Sequence, residues 1–225
     1  MKIILASGSP RRYDLLNQME WDLEVRTLPF AEVETVNEAT EQLHSLRNIY
    51  LANTVTQSNV TFSEKDLVLL SPYRNADLVC AYNALGKGKA AAKVTGTYVP
   101  VIAADTIVVL EDKILGKPAD ASDAKRMLRE LSGKAHEVKT AAAVLYQDKT
   151  VLTVITTKVF FRELTENEIN WYVRTGEPLD KAGAYGIQGK GAVLVEKIEG
   201  SYDNVVGLPL TAVYEILKNQ LSCTL

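Results

Sequence analysis

Two hydrophobic rhythms alternate along this chain, one with the period of a strand and one with that of a helix. KIILA, residues 2–6, is a short continuous apolar run and reads as a buried strand. Leu15, Leu16 and Met19 then recur on one face over residues 14–19, which predicts a helix. Ser9 stands at the N-cap position of that helix and Pro10 at its first residue. A second strand, DLEVRTL, begins at Asp22, and its segment ends near Glu32. Residues 33–84 are the least legible. They hold a polar helix-like piece (Glu38 to Leu51), a polar stretch and the apolar run DLVLL. LGKGKAAAKV, residues 85–94, reads as a helix, and VPVIAADTIVVL, residues 99–110, as a strand interrupted by Asp105 and Thr106. DASDAKRMLRELSG predicts a helix capped by Asp120 or Ser122 and ended by Gly133. HEVKTAAAVLY and TVLTVITTKVFF form two long strands around a polar turn at residues 147–149. TENEINWYVRTGE is a helix with Thr165 and Glu168 at capping-box spacing and Gly176 as its stop. The glycine-rich DKAGAYGIQGKG follows, then a strand AVLVEKI and a closing helix over residues 210–219. Strands and helices alternate without internal repeats, so the class is α/β.

Composition narrows the function. Hydrophobic residues make up 47% and charged residues 24% of the chain, as in soluble globular proteins. The net charge of −3 gives no general pull toward nucleic acid or an anionic membrane, so any anion site must be a local basic cluster. Cys80 and Cys223 match no metal or redox spacing and read as free thiols of a reducing compartment. No apolar run has bilayer-spanning length, and Ile3–Ala6 is too short for a signal segment. A cytoplasmic protein is expected. The acceptor triplet Asn59-Val60-Thr61 is set aside for the same reason.

The candidate chemistry begins at LASGSPRR, residues 5–12, a strand-to-helix turn. Helix N-terminal amides attract anions, and arginine forks suit phosphate oxygens. Arg11 and Arg12 would be poorly placed in a first helical turn without an anion, although two arginines on a solvated face are the alternative. Asp105 interrupts an apolar strand, where a carboxylate is costly unless it pairs or binds metal; it could also begin a tight turn. Glu32 is a second carboxylate, and two carboxylates with phosphate oxygens suit magnesium or manganese. Lys89 and Lys117 are candidate cations, with solvated lysines as the plain alternative. Ser7 and Ser9 read as hydroxyl donors to phosphate, because no adjacent base would make either a nucleophile. His44 and His136 are too few and isolated for zinc. GKGK is no Walker loop, since Ala90 stands where Ser or Thr would hold magnesium. Gln188 could read a base edge through its amide, or sit in an ordinary glycine-rich turn.

Taken together, LASGSPRRYDLL, AADTIVVLEDKILGKP, MLRELSGKAHEVKT, TGEPLDKAGAYGIQGKGA and IEGSYDNVVGLPL resemble the Maf family of nucleotide pyrophosphatases, also called septum-formation proteins. The resemblance spans the chain as one domain, residues 1–225, except roughly 33–84. It implies a long mixed β-sheet with flanking helices in two lobes around a cleft, similar to inosine triphosphate pyrophosphatase. It also implies hydrolysis of a nucleoside triphosphate between the α and β phosphates, homodimers, and a role in cleaning nucleotide pools. By the same resemblance, Asp105 matches the proton acceptor and metal-site carboxylate, and Glu32 the second metal carboxylate. Arg11, Arg12, Lys89 and Lys117 match the basic residues on the triphosphate, with Arg12, Lys89 and Lys117 in the catalytic set. Ser7 or Ser9 matches the serine, and Arg11, Thr106 and Gln188 match positions linked to substrate choice. The implied cofactor is magnesium or manganese, with cobalt a third candidate. SPRR with AYGIQG is similar to the branch acting on dTTP and UTP. The alternatives are the 7-methyl-GTP branch and a non-catalytic nucleotide-binding regulator of cell division. The chain departs from compact members by extra length over about residues 37–78, an arm for dimer contacts or a lid.

Overall fold

The computed structural model describes residues 1–52 and 62–222, with backbone alone for residues 47–52; Cys223 and the Asn59 triplet lie outside the described residues. The first half runs β1 (Lys2–Leu5), α1 (Pro10–Asn17), β2 (Asp22–Val25), α2 (Val36–Ala52), α3 (Glu64–Leu70), α4 (Asn75–Thr95) and β3 (Val101–Leu110). The second runs β4 (Lys113–Leu115), α5 (Ala121–Leu131), β5 (Ala135–Tyr146), β6 (Lys149–Phe161), α6 (Glu166–Arg174), β7 (Val195–Glu199), α7 (Tyr202–Val206) and α8 (Leu210–Glu215). Three 3-10 turns (Glu177–Asp180, Ala182–Ala184 and Gly189–Leu194) lie between α6 and β7, and a π-helical turn, Ile216–Gln220, follows α8. The strands form one mixed sheet in the order β2-β1-β3-β5-β6-β7, with β4 paired to β3. The α/β class expected from the alternating pattern is the one observed. Among the described residues, no helix is long and apolar enough to cross a membrane.

The chain divides into two compact units. The first comprises residues 1–105, 141–154 and 207–225. Here β1 lies between β2 and β3 and is parallel to both. A strand flanked by parallel neighbours is covered on both faces, which is why Ile3, Ile4 and Leu5 are all buried without alternation. α4 is buried on most sides, from Ala76 through Ala91. It starts ten residues before the sequence expectation, because NADLVCAYNAL is apolar nearly all round and shows no 3.6-residue period. DLVLL, unassigned by its pattern, forms most of α3, opened by a reciprocal capping box between Ser63 and Asp66. β2 is shorter than DLEVRTL and stops at Val25.

The second unit comprises residues 106–140 and 155–206. α5 begins on Asp120, whose side chain accepts from the Asp123 amide, and α6 on the expected Thr165–Glu168 capping box. Their apolar faces (Met127, Leu128, Leu131, Ile169, Val173) enter one core with β5 and β6. The expected strand AVLVEKI is only half a strand. Residues 189–194 wind as a 3-10 turn, and β7 starts at Val195.

His136 is buried in this core, 2% exposed. Its Nε2 shares a 2.7 Å hydrogen bond with the Tyr185 hydroxyl, and its ring meets those of Phe161 and Tyr185 edge to face. Burial disfavours the imidazolium and pulls the His136 pKa down to about 4. An unfolded chain therefore binds a proton between about pH 6.5 and 4 that the folded chain refuses. Stability is fully present above that window and falls as pH drops through it, by about 3 kcal/mol from this one group. Urea unfolding of wild type and His136→Phe between pH 7.5 and 4 checks this. The difference in their unfolding free energies should narrow toward acid, and parallel curves would rule out the linkage.

Candidate active site

The chain reverses after β1 through Ala6–Ser9 and enters α1 at Pro10, as the sequence expects. Ser9 is the N-cap residue in extended conformation, but its side chain caps no amide. Ser7 is buried, and its Oγ accepts from Arg12 Nη1 at 3.0 Å and from the Ser9 amide at 3.3 Å. With both acceptor positions used, its own proton remains to be donated. Arg12 Nε donates to the Gly207 carbonyl at 2.7 Å, so the guanidinium is fixed on two sides. Burial lowers the proton affinity of Arg12, and the negative charges of Asp105 and Glu32 offset part of that effect. Arg11 lies in the same first turn and is half-buried.

Asp105 sits in mid-strand on β3 and is 7% exposed, so it begins no turn. Its compensation comes from α4. Lys87 Nζ is 2.7 Å from Asp105 Oδ1, and Asn83 Nδ2 donates to Asp105 Oδ2 at 3.2 Å. Residues four apart share a helix face, which brings both to the same carboxylate. Lys87 Nζ is also 2.7 Å from Glu32 Oε2, so one ammonium joins the two predicted carboxylates. The Asn83 amide also accepts from the Val33 amide and donates to the Val33 carbonyl, both at 2.9 Å. Those bonds pin the loop carrying Glu32 against α4. The glycines of GKGK serve packing. A Cβ on Gly88 would lie 2.6 Å from Leu145 Cδ1, and one on Gly86 would overlap the Phe30 ring.

Lys89 is elsewhere. Two residues along a helix turn the side chain by about 200°. Lys89 accordingly pairs with Asp66 of α3 and lies 6.0 Å above the Phe62 ring, away from Asp105. Matching on the KA dipeptide selects Lys89. The signal for Lys87 was its spacing of four from Asn83, an amide inside the apolar stretch of the helix.

Three candidates belong to the second unit. The Thr106 and Thr140 hydroxyls are 3.0 Å apart, and Thr140 Oγ1 donates to the Asn204 carbonyl at 2.9 Å. Thr140 has one proton, so Thr106 is the donor between them. Lys117 is exposed after β4, beside Gly116, whose carbonyl accepts from the Gly183 amide at 3.0 Å. Gln188 is exposed in the glycine-rich segment.

Among the described residues no group of three or more His, Cys, Asp or Glu could hold a metal ion. Glu32 and Asp105 remain the pair with the right chemistry. They are hard oxygen donors converging on one cation, and a magnesium-type ion completes such a shell with water and substrate phosphates.

A parallel α/β core with a basic strand-to-helix turn and a carboxylate pair drawn to one cation defines a protein suited to a polyphosphate ligand. The chain belongs to the Maf family, whose profile, described as Maf-like protein, matches residues 2–220. It is 42% identical over 217 residues to a dTTP/UTP pyrophosphatase of Bacillus cereus (strain AH187), covering 96% of this chain and 94% of that one. Similar proteins of the same name occur in Bacillus thuringiensis subsp. konkukian (43% identity) and Bacillus cytotoxicus (44%), with the same coverage.

Replacing Asn83 by Leu would leave the buried Val33 amide and carbonyl without these partners. The expected cost is about 2–4 kcal/mol in urea unfolding. A change under 0.5 kcal/mol would mean that Asn83 does not hold the Glu32 loop.

Proposed function

We propose that this chain is a nucleoside triphosphate pyrophosphatase that cleaves dTTP and UTP between the α and β phosphates, releasing the monophosphate and pyrophosphate. The observation that carries this reading is 42–44% identity to dTTP/UTP pyrophosphatases along 96% of the chain. The convergence of Glu32 and Asp105 on one ammonium supports it, because binding a polyanion alone calls for no carboxylate pair. Cleaning of nucleotide pools in the cytoplasm, as a homodimer, belongs to the same proposal.

Arg12, held by Ser7 and Gly207, presents a fixed positive charge to the phosphates, and Arg11 adds to it. Ser7 donates its free proton to a phosphate oxygen. Asp105 takes the proton of the attacking water, its carboxylate held in orientation by Asn83 and Lys87. Of the two lysines, Lys87 has the position to neutralise charge beside Asp105, and that role is assigned to it in place of Lys89. Lys117 neutralises the leaving pyrophosphate, and Thr106 and Gln188 govern the choice of base. Glu32 and Asp105 would hold magnesium or manganese, with cobalt a third option; a metal-bound carboxylate is a weaker base, so Glu32 would carry the larger share of the ion while Asp105 serves as base. When bound, that ion polarises the phosphoryl oxygens and lowers the pKa of water.

The test is pyrophosphate release from dTTP, UTP, CTP, GTP, dATP and 7-methyl-GTP with magnesium, then manganese. Preference for dTTP and UTP is expected, whereas binding without release from any of them would leave a nucleotide-binding regulator. Asp105→Asn should lower kcat by about 10²–10⁴ with folding intact. Lys87→Met should lower kcat at least tenfold more than Lys89→Met, and the reverse order would return the role to Lys89. Gln188→Ala should relax the choice of base more than it slows turnover.

A further inference from the structure

The glycine-rich segment that carries Gln188 is clasped from both sides by two residues of the α6 end. Tyr172, fully buried on α6, accepts from the Gly186 amide at 3.1 Å, two residues before Gln188. Glu177, just after the helix, accepts from the Lys190 and Gly191 amides at 3.1 and 3.2 Å, two and three residues after it. The Tyr172 hydroxyl donates to Glu177 Oε1 at 3.1 Å and so joins the two halves of the clasp. Burial raises the Tyr172 pKa, which keeps the phenol protonated and able to donate.

Glu177 is itself immobilised. Its amide donates to Thr175 Oγ1 at 3.1 Å, and its carbonyl accepts from Lys181 Nζ at 2.7 Å. The loop is shaped to fit the clasp. Gly189 has a φ of +64°, and a Cβ there would lie 3.1 Å from Glu177 Oε2. A Cβ on Gly191 would stand 2.7 Å from the Tyr172 hydroxyl and overlap the Gly186 carbonyl. A charged carboxylate on two backbone amides is a strong hydrogen-bond acceptor, and here it fixes backbone on the far side of an exposed side chain.

We propose that Glu177, through its bonds to the Lys190 and Gly191 amides and to Tyr172, is the positioning residue that sets the loop of Gln188 and thereby the choice of nucleobase. This rests on the reading of Gln188 as a base-contacting residue. Glu177 touches no reacting atom in this assignment. Its loss should act on substrate discrimination through KM and leave the chemical step nearly intact.

The experiment compares Glu177→Gln, Tyr172→Phe, Gln188→Ala and the double variant Glu177→Gln/Gln188→Ala. Kinetic constants are measured for dTTP, UTP, CTP and GTP, with hydrogen exchange of the 186–191 and 121–131 peptides. Both clasp variants are near-isosteric, and the α5 peptide reports whether the unit stays folded. Expected is a fall of about tenfold in the kcat/KM preference for dTTP and UTP over CTP and GTP, carried mainly by KM. Exchange should accelerate at 186–191 and not at 121–131, and the double variant should be no less selective than Gln188→Ala alone. A merely structural role would lower the folded fraction or kcat for all four nucleotides alike, and that result overturns the proposal. If Gln188→Ala leaves the base profile unchanged, the reading of Gln188 fails. In that event a shifted profile in Glu177→Gln still supports positioning by the loop, and an unshifted one overturns it.

Discussion

A carboxylate in the middle of an apolar strand is the constraint on which the first unit depends. Asp105 cannot remain buried on β3 without a positive charge and a donor, and α4 supplies both from one face. That requirement fixes the rotation of α4 about its axis, because residues 83 and 87 must point at β3. Their reach also requires close approach, which Gly88 permits at Leu145. The second function of Asn83 extends the chain of consequences to Val33, and so to the loop that carries Glu32. One buried charge therefore determines a helix orientation, a glycine and the position of a second carboxylate.

The same unit has to bring cations and anions together without cancelling either. Arg12 is held by the Ser7 hydroxyl and the Gly207 carbonyl, and the negative charges of Asp105 and Glu32 act on it as well. The two carboxylates share a single lysine, one ammonium between two acidic groups. A chain of net charge −3 still gathers Arg11 and Arg12 at one strand-to-helix turn.

Elements with local signals were legible in the sequence, and those governed by tertiary packing were not. α1, α5 and α6 announce themselves through Pro10, Asp120 and the Thr165–Glu168 box. β1 and β3 do so through unbroken apolar runs. The first half of α4 is silent because a helix buried on most sides has no polar face to set a period. AVL of AVLVEKI looks like a strand by composition, yet the bonds of Glu177 to residues 190 and 191 draw the chain into a 3-10 turn before β7 can start. Asp105 and Arg12 stand out in the sequence because a carboxylate in an apolar strand and an arginine in a first helical turn are costly or misplaced without a partner, whereas Glu32 is singled out by the family resemblance. Asn83 and Lys87 could not be named by dipeptide matching, because their meaning lies in a shared helix face.

The two lysines of GKGKA show how one short sequence serves two purposes. A helix separates their side chains by about 200°, so when Lys87 faces β3, Lys89 must face outward from it. A second half-buried ammonium is matched by its own anion, Asp66 from α3. Asp66 also accepts from the Ser63 amide and hydroxyl, so the residue that opens α3 is the residue that docks it. Phe62, one residue earlier, stacks on Tyr82 with ring centroids 5.0 Å apart and completes the contact with α4. The stretch expected to carry extra length, 37–78, is thus joined at its second helix to the back of the helix that holds Asp105. Asp66 and Lys89 thus tie α3 to one face of α4, while Asn83 and Lys87 on another face hold Asp105.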